Sequence, residues 1–408
     1  MGTPARPGGT LVKAPAPVTE LALRLNQDGG LPGYAYDLRA LDAHAARIRA
    51  ALPRSAELYY AAKANPDPAL LRTVARHADG FEVASGGELR HVRRILPDKK
   101  IAFGGPGKTA AELRAALAAG ALLHVESVTE LRMLTELAQG ERGADVLLRV
   151  NPDVPVPGEA GLRMGGAATP FGMDAGDLET CARLITGTAV RLRGVHAHLA
   201  SGLGVPPALA AAGDVLAFAR DWCARARVRR PVITLGGGMA VDYGRPGAVF
   251  GWEEYGQGLA RLARSREALL GETLRIEPGR AVTAYCGWYL TRVLDIRRSR
   301  GTAFAVVAGG THHLRTPAAK GHDQPFAVIP DERWPHQWVR PGVAGEPVTV
   351  TGQLCTPKDV LAREVRTPKL RAGDVIAFGL AGAYAWNISH TSFLMHPEPG
   401  FHYIEGER

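Results

Sequence analysis

Short apolar runs recur between residues 59 and 277, and most of the stretches between them repeat Ala, Leu, Arg and Glu at helical spacing. The runs predict strands over 59–64, 81–84, 101–104, 122–126, 146–150, 192–199, 232–236 and 274–277. Strand and helix alternating eight times predict an α/β fold, a closed parallel (β/α)8 TIM barrel, with its active site at the C-terminal ends of the strands. An amphipathic helix over 40–52 leads in, and 31–38 (LPGYAYDL) reads as a short strand after a Pro-Gly turn. Past the barrel the texture changes. The runs 288–296, 303–307, 347–352, 374–378 and 401–404 are alternating or β-rich and separated by Gly and Pro, which predicts a C-terminal antiparallel β domain. The expected division is a disordered leader over 1–30, a strand over 31–39 joining the β domain, the barrel over 40–276 and the β domain over 277–408.

At 408 residues the chain exceeds the roughly 250 of one barrel, which agrees with a second unit. No window reaches the roughly 20 apolar residues of a membrane span, so no membrane partner is expected. Four widely spaced cysteines without a CxxC pair argue against a metal site or disulfides and for a reducing cytoplasm. The net charge of +9 comes from arginines scattered through helices rather than gathered in one run. That disfavours nucleic acid and leaves an anionic small molecule as the partner class.

Six of the eight predicted strands carry a chemically competent residue at or near the C-terminal end: Lys63, Glu82, Arg149, His198, Gly236-Gly237-Gly238 and Glu277. A lysine at an apolar strand end loses solvation, which favours the neutral, nucleophilic amine. Consecutive glycines let backbone N–H groups close on a phosphate. A flat imidazole, His198, can lie on an aromatic ring, and Ser201 can reach the phosphate. The carboxylate of Glu277 can keep a pyridine nitrogen protonated, and Arg280 can reach the phosphate. Arg149 is an inward charge on an apolar strand and needs a partner, which a phenolic oxygen would supply. Glu82 and Glu88 either orient Lys63 and Arg149 or form ordinary rim ion pairs. His196 reads as a buried structural histidine. Together these groups fit a phosphate-bearing pyridine aldehyde, pyridoxal 5'-phosphate.

The motifs YYAAKAN, VHAHLAS, GGG, IEPGR, GQLCTPKD and AGAYAW together resemble the fold-type III pyridoxal-phosphate decarboxylases, the group of ornithine, lysine, arginine and diaminopimelate decarboxylases. The resemblance covers the chain from about residue 31 and implies an alanine racemase-like barrel with the cofactor held covalently on Lys63. It implies that His198 stacks on the ring, and that Ser201, Gly236, Gly237, Gly238, Arg280 and Tyr384 serve the phosphate. It further implies that Cys355 arrives from the second subunit of a head-to-tail homodimer and protonates Cα, so that each active site is shared. An amino acid racemase is the nearest alternative, but Glu277 and Cys355 favour loss of carboxylate.

A narrower resemblance, to the staphyloferrin B-type siderophore enzymes, rests on FGGPGKT (103–109), HVES (124–127), GQLCTPKDVLAREV (352–365) and the segment 373–399. It implies decarboxylation of a citryl-diaminopropionate conjugate. Diaminopimelate decarboxylases carry C-E-S-x-D where this chain has Cys355-Thr-Pro-Lys358-Asp359; losing that glutamate and gaining Lys358 disfavours a substrate with a distal ammonium, and Lys358 and Asp359 are expected to contact the substrate. The segment 309–322 gathers His312, His313, Arg315, Lys320 and His322, which are either substrate-binding groups for a polycarboxylate tail or a solvated basic loop. A citryl, glutamyl or carrier-tethered tail and a free diamino acid all remain open on these residues.

Overall fold

The computed structural model describes residues 9–139, 143–155, 162–269 and 271–405. It divides into two compact units, one of residues 42–240 with 250–282, the other of residues up to 41 with 241–249 and 283–408.

The first unit is a closed barrel. Its strands, in chain order, are Ala56–Ala61, Gly80–Val83, Lys100–Phe103, Leu122–Val125, Ala144–Arg149, Val190–His196, Val232–Thr234 and Thr273–Ile276. Every neighbouring pair is parallel, and the eighth strand closes on the first through Leu274, opposite Ala56. The strands are short and buried on both faces, as parallel strands sheathed by helices must be. Most of them end one to three residues before the expected positions. The competent residues therefore sit largely in the first turn beyond each strand, where backbone groups leave the ladder and face the opening. Inside the barrel, Arg275 donates to Glu57 Oε2 at 2.7 and 3.0 Å and lies 3.9 Å over the Tyr59 ring.

Three successive helices start with the same chemistry. Ser85, Thr109 and Ser127 each accept from the backbone N–H of a glutamate three residues on, at Glu88, Glu112 and Glu130. Such caps satisfy donors the first turn leaves bare and place negative charge at the helix start. They fix where each helix leaves the rim, and so fix the rim loops.

The second unit is built on a sheet of mixed direction. Strand order runs Phe326–Ile329, Val375–Phe378, Gly287–Ser299, Thr302–Val307, Pro347–Thr351, Val360–Arg366. Most pairs are antiparallel, as the alternation predicts, but Thr302–Val307 lies parallel to Pro347–Thr351. The strand Gly33–Asp37 pairs antiparallel with Gly287–Ser299 and parallel with Gly400–Ile404. Two strands of this sheet escaped the sequence pattern: Phe326–Ile329 is very short, and VLAREVR finds its pairing only with Pro347–Thr351.

The expected leader needs correction. Residues Ala16–Asp28 form a helix, with Pro15 before it and Gly29 in the left-handed conformation after it. Val18, Leu21, Ala22 and Leu25 recur on one face and pack with Ala35, Leu290, Ala327, Ile329, Val375 and Ala377. Burying such side chains is worth about 1.5–3 kcal/mol each for the larger ones, enough to hold a segment whose Pro/Gly-rich start looks unstructured. No helix among the described residues is long and apolar enough to cross a membrane.

Candidate active site

The barrel unit brings together all of the rim residues expected from its sequence. Lys63 lies in a 3-10 turn, Ala62–Ala64, directly after the first strand. Its Nζ donates to Glu82 Oε1 at 2.8 Å and Oε2 at 2.7 Å. Its side chain is 45 % exposed while that of Glu82 is 6 % exposed. The lysine is thus held at the opening by a buried carboxylate, less desolvated than the apolar strand end implies. Glu88 does neither job proposed for it: it accepts from the Ala84 backbone N–H at 2.8 Å, and burial raises its pKa above the ordinary value.

Arg149, the last residue of the fifth strand, has its partner inside the chain. Its guanidinium donates to Glu126 Oε1 at 2.8 Å and packs 4.9 Å over the Phe171 ring. The same Glu126 oxygen accepts from the Gly105 backbone N–H at 2.8 Å, and its Oε2 makes no hydrogen bond among the described residues. Breaking a buried pair of this kind costs about 3–5 kcal/mol, because the surviving charge is stranded. Glu126 was not singled out from sequence. Its only signal was the HVES run.

The glycine loop and His198 form one structure. Gly236 and Gly238 adopt φ of +69° and +88°, which favour glycine. The Gly237 N–H donates to His198 Nδ1 at 3.2 Å, so that nitrogen is bare and any proton on the neutral ring sits on Nε2. A Cβ on Gly236 would overlap His198, one on Gly237 the Glu277 carbonyl, and one on Gly238 the Ala200 carbonyl. Burial, then the nearby Arg149 and Lys63 charges, push the His198 pKa down to about 3, so its flat face is uncharged. Ser201 follows in a two-residue strand paired with Leu162–Arg163. Arg280 opens the short helix Arg280–Thr283 beyond the eighth strand.

Glu277 is buried just past the eighth strand. Its Oε2 lies 3.0 Å from His196 Nε2, whereas Oε1 makes no hydrogen bond among the described residues. An orphaned, buried carboxylate oxygen calls for a donor. A protonated pyridine nitrogen is such a donor, and a compact glycine loop beside a neutral imidazole suits a phosphate next to an aromatic ring. The residues present therefore fit pyridoxal 5'-phosphate.

In the second unit the expected residues divide in two. Asp359 is buried and accepts from the backbone N–H groups of Thr311 at 2.6 Å and Leu354 at 2.9 Å. It braces the Cys355 loop against the 309–311 turn. His313 is likewise engaged, with Nδ1 3.0 Å from the Tyr289 hydroxyl and Nε2 3.0 Å from the Pro397 carbonyl. His312 is fully buried beside His313 and His396, and burial pushes its pKa down to about 4. His322 stacks on Tyr243 with ring centres 4.2 Å apart. Arg315, Lys358 and Cys355 are exposed, and the side chain of Lys320 lies outside the described residues. Tyr384 takes a left-handed φ of +49°, strained for a residue with a Cβ, and its carbonyl accepts from the Thr316 hydroxyl.

Residues 38–284 match the family model described as "Pyridoxal-dependent decarboxylase, pyridoxal binding domain". A Staphylococcus aureus protein named 2-[(L-alanin-3-ylcarbamoyl)methyl]-2-hydroxybutanedioate decarboxylase is 37 % identical, over 91 % of this chain and 93 % of its own. A decarboxylase of an L-glutamyl acyl-carrier protein from Niallia circulans is 31 % identical, over 90 % and 87 %. Among solved structures, diaminopimelate decarboxylase from Helicobacter pylori in complex with L-lysine superposes with a TM-score of 0.82 at 26 % identity, covering 94 % of this chain and 93 % of that one.

Proposed function

The chain belongs to the pyridoxal-dependent decarboxylases, and on that premise we propose that it removes the α-carboxylate from a diaminopropionate unit carried on citrate, as a step in siderophore assembly. One observation carries the choice of substrate: the 37 % identity to the Staphylococcus aureus enzyme along nearly the full length of both chains. The name of that enzyme describes citrate with one arm in amide linkage to the 3-amino group of diaminopropionate. Such a molecule keeps a free α-amine and α-carboxylate for reaction, and two citrate carboxylates as handles. The exposed Arg315 and Lys358 are suited to those handles.

Bound at the barrel mouth, pyridoxal 5'-phosphate would supply an electron sink for the bonding pair released as the carboxylate leaves. Lys63 would hold the cofactor and give way to the substrate amine, with Glu82 taking the hydrogen bonds of the lysine. Glu277 Oε1 would keep a proton on the ring nitrogen. His198, neutral, would lie on the ring face, and Arg149 would meet the phenolic oxygen while Glu126 holds it in place. Gly236, Gly237, Gly238, Ser201, Arg280 and Tyr384 would hold the phosphate. Cys355 from a second copy of the chain would deliver the proton to Cα, which makes the working enzyme a homodimer. The free thiols of the four cysteines are compatible with a reducing cytoplasm.

The test is CO2 release measured on citryl-diaminopropionate, diaminopimelate, ornithine, lysine and a glutamyl carrier protein. The citryl conjugate is expected to give the highest kcat/KM by about tenfold or more, since a site built for charged handles strongly rejects substrates without them. A higher value for the carrier-bound or free amino acids would replace the citryl reading with theirs.

A further inference from the structure

Below the rim, three buried polar side chains meet: His124 on the fourth strand, His196 ending the sixth and Glu277 past the eighth. His196 Nε2 lies 3.0 Å from Glu277 Oε2, and His124 Nε2 lies 3.8 Å from Oε1. Only the first distance is a hydrogen bond. The imidazoles pack against each other with centres 4.2 Å apart. Burial holds both well below the ordinary histidine pKa, so each is neutral and carries a single N–H. A carboxylate only accepts, so the proton of His196 sits on Nε2 and its Nδ1 is bare. The three ligand atoms lie within 4.8 Å of one another, looser than the about 3.3 Å between tetrahedral ligands at about 2.0 Å from zinc, and one pair is already joined by hydrogen. The arrangement is a brace on a carboxylate, not a metal cage.

We propose that His196 is a positioning residue that pins Glu277 Oε2 and thereby presents Oε1 to the cofactor's ring nitrogen, with His124 packed behind it. The inference rests on the reading of the barrel mouth as a pyridoxal-phosphate site. A carboxylate turns about its last bond unless one oxygen is held. His196 holds one, and the other is the buried oxygen that makes no hydrogen bond among the described residues. His124, whose ring nitrogens make no hydrogen bond among the described residues, packs against the His196 ring and fills the space into which it would otherwise swing.

The test compares two ligands on the full-length apoprotein by tryptophan quenching: pyridoxal phosphate and its analogue with C–H in place of the ring nitrogen. Wild type is expected to bind pyridoxal phosphate about tenfold or more tightly than the analogue, which leaves a buried carboxylate unmet. His196→Leu should narrow that ratio to about threefold or less, and His196→Gln, whose amide N–H can occupy the Nε2 position, should restore it. His196→Asn, too short to reach Oε2, substitutes for the leucine variant if that chain does not fold and carries the same expectation. A wild-type ratio in folded His196→Leu or His196→Asn overturns the positioning role. A wild-type protein that binds neither ligand overturns the reading of the site itself.

Discussion

Both carboxylate oxygens of Glu82 accept hydrogen bonds from the Lys63 amine, at 2.8 and 2.7 Å. The lysine of the pair is partly exposed, so their attraction is worth no more than about 1 kcal/mol, roughly fivefold in an equilibrium constant. Glu82→Gln should therefore keep a visible absorption band and a cofactor that borohydride fixes to the chain, with retention changed by no more than about fivefold. Lys63→Ala should lose both. Cofactor still fixed by borohydride in Lys63→Ala would place the attachment on a different lysine.

The Gly237 backbone approaches so closely that a Cβ there would overlap the Glu277 carbonyl. Gly237→Ala must push the glycine loop off the eighth strand, a strain of about 1–3 kcal/mol. Cofactor affinity is expected to fall about tenfold or more while far-ultraviolet circular dichroism stays native. Unchanged affinity in equilibrium dialysis would remove the loop from the phosphate site.

The barrel was legible because parallel strands buried on both faces write themselves as plain apolar runs, and because Lys63, the glycine loop and Glu277 recur at their ends. The partners of those residues were not. His124 on the fourth strand and Glu126 just past it lie in a run, LLHVE, that announces nothing about Glu277 or Arg149, which lie 153 and 23 positions away. Pairing across a barrel is set by closure, which no local pattern records. The helix Ala16–Asp28 was missed for a related reason: its apolar face is meaningful only against Leu290 and Val375, far along the chain. The spacing of Asp359 from Cys355 matches a motif, but only the fold shows that its carboxylate accepts from the amides of Thr311 and Leu354.

His198 links pH to stability. Its pKa falls from an ordinary 6.5 to about 3 in the folded protein, chiefly through burial. Between those values the unfolded chain holds a proton that the folded one refuses, so stability drops as pH falls through that window. The slope from this group approaches about 1.4 kcal/mol per pH unit, and from pH 7 to 5 the loss is about 2 kcal/mol. Urea unfolding of the apoprotein at pH 7, 6 and 5 should show the decline, and His198→Gln should reduce it by that amount. The same slope in the variant would mean that His198 is protonated in the folded protein.

Cys355 is exposed on its own unit, on a loop braced by Asp359, as a residue offered to a second chain would be. If the sites are shared, Lys63→Ala and Cys355→Ala chains should complement each other. Refolded together at equal amounts, they should recover about a quarter of wild-type turnover, since random pairing makes half of the dimers mixed, each with one intact site. Activity no higher than that of either parent would place both residues in one chain's site, or remove Cys355 from the chemistry.

Replacing Arg315 would test an anionic tail against a simple diamino acid. Its backbone N–H donates to the Ser389 hydroxyl at 3.1 Å, and that hydroxyl shares its one proton between the carbonyls of Ala385 at 2.7 Å and His313 at 3.0 Å. The main chain is therefore fixed while the guanidinium is exposed. Truncation should remove a charge without disturbing the fold. Hydrogen bonds to charged groups are worth about 1.5–3 kcal/mol, so Arg315→Ala should raise KM for citryl-diaminopropionate roughly tenfold or more. If Arg315 binds rather than reacts, kcat should change little. KM for diaminopimelate should stay within about twofold, since that substrate gives the guanidinium no citrate carboxylate to hold. Equal rises for both substrates would mean that Arg315 shapes the pocket generally and is not a handle for a polycarboxylate tail.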